Sequence, residues 1–127
     1  MDRVLKMMGA ALGVALALTA TESQAGASKE GASVFHAQCA VCHSDTARGG
    51  TMIGPRLFGV VGRKAGAQPG YSYSAAMRAS GITWTPGQLE AYVANPAKVV
   101  HGNKMPFAGL HNPAQVESLI EYLKTLK

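Results

Sequence analysis

Apolar residues recur at helical spacing in three parts of this chain. In the last part, Val116, Leu119, Ile120 and Leu123 stand at positions i, i+3, i+4 and i+7. This period predicts an amphipathic helix that starts near Asn112 and runs to the C-terminus.

A second helix is predicted by its start and stop residues. Residues 85–88 combine a threonine, a proline and, three residues after the threonine, a glutamine, which is the pattern of a capped helix start. Leu89, Tyr92 and Val93 then form an apolar face, and Pro96 ends the helix because a proline cannot continue it. Residues 112–115 repeat the same capping pattern.

The remaining segments predict one more helix and a long loop. Ser28 is a candidate cap for a first helix, on which Phe35, Cys39 and Cys42 share one face. Residues 44–70 are rich in glycine and proline, which predicts a long loop, a feature that compact domains rarely carry without a function. Because alternation typical of a strand is missing, the predicted fold is all-α.

The N-terminus has the layout of a secretory signal peptide. Arg3 and Lys6 precede the apolar run at 7–20, and small residues follow at 23–25. We therefore expect a signal peptide at residues 1–25, a folded domain at 26–127, and cleavage after Ala25 or, as second choice, after Ala27. Retention of the segment as a membrane anchor is the alternative.

Composition indicates that the domain core needs more than its own side chains. The chain has 127 residues, 15 of them glycine, and only 6% are aromatic. A small domain poor in large apolar side chains has a limited core, so a buried cofactor is expected. The net charge of +5 is spread along the chain without a nucleic-acid-binding motif, which argues against nucleic acid as a partner.

The motif that carries chemistry is C-A-V-C-H at residues 39–43. This spacing is the attachment pattern of c-type haem: Cys39 and Cys42 can form thioethers with the porphyrin, and His43 can offer its imidazole to the iron. A disulfide or a redox-active dithiol is the alternative for an exported chain. A zinc site would need two further ligands that the sequence does not offer in a known pattern.

The sixth position of a haem iron has several candidate ligands after Cys42. They are His101, His111, Met52, Met77 and Met105. Pro106 disfavours helical geometry at Met105, which suits a thioether held by a stiff loop. A lone methionine more often fills a core, so the residues alone leave this ligand open.

The chain resembles the class I cytochromes c, both the mitochondrial type and its soluble bacterial relatives, from about Gly31 to Lys127. The resemblance rests on the motif at 39–43 and on ordered matches at 54–57, 62–64, 70–74, 81–84, 95–96 and 104–109. It implies three main helices, a short helix and long loops wrapped around one haem c bound through Cys39 and Cys42.

The resemblance also implies a set of cofactor-binding residues. It makes His43 and Met105 the axial iron ligands, with the Pro55 carbonyl accepting from the His43 ring. Tyr73 and Trp84 are implied donors to a haem propionate, and Arg63 offsets its charge. Tyr92 is expected beside the methionine sulfur. Two departures are Met77, where the mitochondrial pattern has asparagine, and Asn103, which replaces a threonine at the cofactor.

The implied function is that of a soluble one-electron carrier, not an enzyme, exported to a bacterial periplasm as a monomer without stable membrane insertion. Transient docking of redox complexes is expected at the exposed haem edge. Lysines that surround this edge in eukaryotic relatives are missing, which leaves Lys98 and Lys104 as candidate contacts. The alternatives are a haem peroxidase with an open sixth site and a permanently bound enzyme subunit.

Overall fold

The computed structural model describes the backbone of residues 15–127 and the side chains of residues 21–127. Within this part the chain forms five helices and no strand, apart from an isolated antiparallel bridge between Lys64 and Thr83. The helices are α1 (Ala15–Gln38), α2 (Ala75–Ala79), α3 (Pro86–Ala94), α4 (Pro96–Val99) and α5 (Pro113–Leu123). The all-α prediction is confirmed, but there are two short helices, α2 and α4, where one was expected.

Helix α1 passes through the region where the signal peptide was predicted to end. Ser28 lies inside α1, so the prediction that it caps the helix is wrong; the alanine-rich residues before it are themselves strong helix formers. Residues 21–26 are exposed, and within 21–127, the part whose burial the structure describes, Gly31 is the first buried residue. Part of the predicted signal peptide, residues 1–14, lies outside the described residues, and cleavage after Ala25 stays a prediction.

None of the helices formed by residues 15–127 combines the length and the apolar character that crossing a membrane requires.

The main helix contact joins α1 to α5. At Gly31 the two backbones approach so closely that an added Cβ would lie 1.8 Å from the Ser118 carbonyl oxygen. Phe35 is fully buried beside this crossing, and Leu119 and Ile120 are each 2% exposed. The glycine therefore lets apolar side chains of both helices interlock, which is the close packing that stabilises a helix pair.

The predicted helix starts are confirmed by their hydrogen bonds. The Thr85 hydroxyl accepts from the Gln88 amide at 3.2 Å at the start of α3. The Asn112 side chain accepts from the amides of Ala114 and Gln115 at the start of α5. Each bond satisfies a backbone donor that the first helical turn leaves without a partner. Helix α3 ends before Pro96, as predicted.

The glycine- and proline-rich segment is a long loop, as predicted, that is fixed by backbone hydrogen bonds. The Gly62 amide donates to the Trp84 carbonyl at 2.8 Å, and the Trp84 amide donates to the Arg63 carbonyl at 2.9 Å. The Gly59 amide donates to the Leu126 carbonyl at 2.7 Å. These bonds hold the loop against Trp84 and the C-terminal turn, and so build the walls of a cavity.

Candidate cofactor site

A cavity lies between the long loop, helix α3 and the loop before α5. Its empty volume is about 920 Å³, part of which is open to solvent. Leu57, Val60, Leu89 and Val93 contribute apolar walls. Eight of the ten predicted cofactor-binding residues line it: Cys42, His43, Pro55, Arg63, Tyr73, Trp84, Tyr92 and Met105. Cys39 and Asn103 do not.

The C-A-V-C-H motif continues α1 by one further helical turn. The Cys39 amide donates to the Phe35 carbonyl at 2.8 Å, and the His43 amide donates to the Cys39 carbonyl at 2.9 Å. This turn places Cys42 and His43 at the cavity, whereas Cys39 is half-buried and packs against the hydrophobic core. Both thiols are free.

The burial of Cys39 argues against one alternative for the motif, a redox-active dithiol. Burial raises the pKa of Cys39 from 9.0 to about 11, and the neighbouring Cys42 adds to the rise. A redox-active dithiol instead needs a lowered thiol pKa. Across the described residues, 15–127, no group of three or more His, Cys, Asp or Glu is arranged to hold a metal ion.

The imidazole of His43 is oriented from two sides. Its Nδ1 lies 2.6 Å from the Pro55 carbonyl oxygen; because a carbonyl only accepts, Nδ1 carries the proton and Nε2 keeps its lone pair. Burial lowers the pKa of His43, and the bond to Pro55 partly opposes this, so the neutral form is favoured. A Cβ on Gly54 would lie 2.4 Å from the ring. Glycine is therefore required at this contact, a role that the sequence pattern did not specify.

The structure narrows the candidates for a sixth iron ligand to two methionines. Met105 and Met77 both line the cavity. Met52 is 48% exposed, and His101 and His111 are exposed and do not line the cavity. Two thioethers therefore remain as candidates, one on a loop and one on α2.

The loop that carries Met105 is held by its two preceding residues. The Asn103 side chain accepts from the Met105 amide at 2.7 Å and donates to the Val100 carbonyl at 3.0 Å. The Lys104 ammonium donates to the Ser72 carbonyl at 2.6 Å, which ties this loop to the long loop. Asn103 therefore acts on the backbone of its own loop instead of lining the cavity.

A cationic and phenolic cluster lies at another part of the cavity wall. The Arg63 guanidinium donates to the Gln68 side chain and to the Arg56 carbonyl, both at 2.8 Å. The Tyr73 hydroxyl accepts from the Gln68 amide at 3.3 Å. Burial lowers the pKa of Arg63, while Tyr73 opposes this; burial likewise raises the pKa of Tyr73. A half-buried cation and a phenol are suited to an anionic group of a ligand.

Two aromatic side chains stack at the centre of the wall. The ring centroids of Trp84 and Tyr92 are 4.9 Å apart, tilted by 50°, a favourable aromatic geometry. Both residues are buried, at 7% and 8% exposure. Burial, followed by the nearby Tyr71, raises the pKa of Tyr92 to about 12, so its phenol is neutral. Tyr71, Ser74 and Leu57 also line the cavity, and no individual role was predicted for them.

These residues fit a haem. The walls are mostly apolar, one imidazole nitrogen is unprotonated, two thioether sulfurs and one thiol line the space, and Arg63 and Lys104 supply positive charge for propionates.

Known proteins with similar sequences point the same way. The family model described as Cytochrome c matches residues 28–127. The cytochrome c2 of Rhodopila globiformis is 47% identical over 98 residues, which cover 77% of this chain and 92% of the relative. The cytochrome c2 of Rhodomicrobium vannielii is 44% identical over 118 residues, covering 91% and 92%. The solved structure of cytochrome cH from Methylobacterium extorquens aligns with a TM-score of 0.70 at 41% identity, covering 77% of this chain and 97% of that one.

Proposed function

Since this chain belongs to the cytochrome c family, whose members are haem electron carriers, we propose that it carries one haem c bound through Cys39 and Cys42, with His43 and Met105 as axial ligands. In this role the protein shuttles single electrons between membrane or periplasmic redox complexes and catalyses no reaction of its own. The predicted resemblance to class I cytochrome c is confirmed by the family match.

The observation that carries the proposal is the state of the His43 ring. With Nδ1 donating to Pro55 at 2.6 Å, the unprotonated Nε2 is available as an iron ligand, and the bond fixes the ring and increases its basicity. Met105 lines the same cavity from a loop that Pro106 stiffens. Nitrogen and thioether ligation together favour the reduced state and raise the potential.

The chain's own residues supply the environment for electron transfer. Bound haem supplies an iron that changes by one electron between the ferric and ferrous states. Leu57, Val60 and Leu89 line the cavity with apolar side chains, and an apolar surrounding makes the additional ferric charge costly. Arg63 and Tyr73 lie at the part of the cavity wall that suits the anionic propionates of a haem. The walls are anchored by backbone hydrogen bonds, so little rearrangement accompanies the change of charge.

The ligand assignment is tested by comparing Met105→Ala with Met77→Leu. In the processed, haem-loaded protein, we expect the far-red charge-transfer band of ferric, sulfur-ligated haem in the wild type and in Met77→Leu. Met105→Ala should lose this band and bind carbon monoxide readily when reduced. Loss of the band in Met77→Leu alone would assign the ligand to Met77.

Two measurements on the wild-type, haem-loaded protein distinguish an electron carrier from a peroxidase and from a permanently bound enzyme subunit. A wild-type ferrous protein that binds carbon monoxide readily would favour a peroxidase, because it would have an open sixth site. A chain that runs as part of a larger assembly on a sizing column at low concentration would favour a dedicated subunit. We expect a monomer with a closed sixth site.

For docking, we propose that redox partners approach the cavity mouth near Ile53, which lines the cavity and is 68% exposed. Lys98 and Lys104 are both exposed, but the Lys104 ammonium is bonded to the Ser72 carbonyl and lies 5.6 Å from the Tyr71 ring centroid. Lys98 should therefore contribute more to steering an acidic partner. Lys98→Glu should slow electron transfer to such a partner at low salt, and the difference should shrink as salt rises.

Export to a bacterial periplasm is the location we propose. The exposure of residues 21–26 and the start of packing at Gly31 support a domain that begins just after the predicted cleavage sites. Mass spectrometry of the protein expressed with its N-terminus in a host that matures haem should give a chain beginning at Gly26 or Ser28. An uncleaved chain found with membranes would contradict the proposal.

A further inference from the structure

Asn103 lies two residues before Met105 and makes both of its side-chain hydrogen bonds within the loop. Its carbonyl oxygen accepts from the Met105 amide at 2.7 Å, and its amide nitrogen donates to the Val100 carbonyl at 3.0 Å. The Asn103 backbone amide donates to the same Val100 carbonyl at 3.1 Å. The carboxamide therefore bridges a loop residue to Val100, which is 4% exposed and part of the core.

The backbone after Met105 is fixed as well. Pro106 restricts the conformation of Met105 and offers no amide donor of its own. The Met105 carbonyl accepts from the Phe107 amide at 2.8 Å. Met105 is thus held at its amide by Asn103 and at its carbonyl by Phe107, and its side chain lines the cavity. Only the first of these contacts comes from a side chain, so it is the one that substitution can remove.

We propose that Asn103 is the positioning residue for the methionine ligand: its carboxamide sets the place of Met105 against the core and keeps the sulfur at the cavity. This inference rests on the proposed function, in which Met105 binds iron. It assigns Asn103 a role that acts through Met105, because its carboxamide bonds to Met105 and Val100 and the residue does not line the cavity.

An asparagine that only stabilises the fold should behave differently in solution from one that positions the methionine ligand. Asn112 makes the same kind of side-chain contact, accepting from the Ala114 and Gln115 amides, but it caps α5 and is exposed. Removing either asparagine costs hydrogen bonds and lowers overall stability. Only the removal of Asn103 should raise the fraction of molecules whose sulfur has left the iron, and an external ligand measures that fraction directly.

The experiment titrates the haem-loaded ferric protein with imidazole and compares Asn103→Leu with the control Asn112→Leu. Loss of the hydrogen bonds should raise the apparent imidazole affinity of Asn103→Leu about tenfold, while Asn112→Leu stays near the wild type. In a urea series, Asn103→Leu should lose the far-red band well before its helical circular dichroism. Asn112→Leu should lose the two signals together.

Asn103→Ser provides a second, milder variant that keeps a hydroxyl acceptor for the Met105 amide. Its imidazole affinity should fall between the wild type and Asn103→Leu, and it decides the matter if Asn103→Leu does not mature. The proposal is overturned if the available Asn103 variants raise imidazole affinity no more than Asn112→Leu does. Because Met105→Ala tests the band independently, a wild-type band together with such a result overturns the positioning role and leaves the proposed ligation standing.

Discussion

The α1–α5 pair and the cavity wall are two regions built by different means. In the helix pair, Gly31 meets Ser118 and buried side chains such as Phe35 and Ile120 fill the interface. In the cavity wall, loops are joined mainly by hydrogen bonds, and their apolar side chains border about 920 Å³ of space that is partly open to solvent. The first region is complete from the chain alone, whereas the second is shaped to receive a cofactor.

This difference explains why a domain with so few aromatic residues can fold. A bound cofactor fills apolar space that would otherwise be left without partner atoms, and an empty apolar cavity costs stability in proportion to its enclosed volume. The cofactor is thus expected to be part of the core. Substitutions in the wall should change haem properties, and substitutions in the helix pair should change stability without changing them.

The largest effect should come from removing both attachment sulfurs. In Cys39→Ser with Cys42→Ser, we expect complete loss of covalently retained haem and, since the wall then has no filler, loss of fixed tertiary structure. The measurements are a denatured-haem spectrum, the chain mass and near-ultraviolet circular dichroism. Val41→Ala, between the cysteines and 71% exposed in the wild type, is the control and should mature normally. If the double variant kept a fixed tertiary structure, the cavity wall would be shown to fold without the cofactor.

Gly31→Val tests the helix pair. Because a Cβ there would lie 1.8 Å from the Ser118 carbonyl oxygen and 2.7 Å from the Tyr122 Cβ, the helices must separate, and we expect a loss of about 3 kcal/mol in unfolding free energy. Guanidinium unfolding measures this. The far-red band should persist in the folded variant. Gly87→Ala in α3 has open space around it and should not destabilise the protein; equal effects of the two changes would contradict the packing argument.

Gly54→Ala should act on the wall instead. Its Cβ would lie 2.4 Å from the His43 ring, so the imidazole has to shift and its bond to Pro55 weakens, costing about 1–2 kcal/mol. A less basic ligand stabilises ferric iron less, and the reduction potential should therefore rise. Voltammetry measures the potential, and Gly50→Ala, in open space, is the matched change. An unaltered reduction potential in Gly54→Ala would show that the close contact between Gly54 and the His43 ring does not set the basicity of the imidazole.

The smallest effect concerns the tie between α5 and the loop after the haem motif. The Tyr122 hydroxyl donates to Asp45 at 2.5 Å, and burial together with this bond raises the pKa of Tyr122 from 10.0 to about 12. Because the folded state keeps this proton more tightly, its contribution is fully present below pH 10 and is lost as pH rises towards 12.

Tyr122→Phe should lower stability by about 1 kcal/mol near neutral pH, and the difference from the wild type should shrink between pH 10 and 12. Chemical unfolding at a series of pH values measures this difference. Asp45→Asn, which keeps an acceptor but removes the charge, should lower stability less. If the stability difference between Tyr122→Phe and the wild type stayed constant through this pH range, the raised pKa of Tyr122 would be contradicted.

Much of the fold and of the site could be predicted from local sequence. The caps at Thr85 and Asn112 and the end of α3 before Pro96 are decided by neighbouring residues, and they were predicted correctly. The motif at 39–43 likewise predicts the attachment residues from spacing alone, and this stays a prediction. The start of α1 was wrong at Ser28, because an alanine-rich segment can extend a helix past a good cap.

The tertiary structure decided what depends on residues far apart in the chain. The sequence left five candidates for the sixth ligand, and only folding brings Met105 and Met77 to one cavity while leaving Met52 exposed. Folding also brings the Asn103 side chain into hydrogen bonds with Val100 and Met105. Such contacts depend on the path of the whole backbone, which a pattern of residue types does not record. The helices and the C-x-x-C-H spacing are local features of this sequence, whereas the meeting of the candidate ligands in one cavity depends on the whole fold.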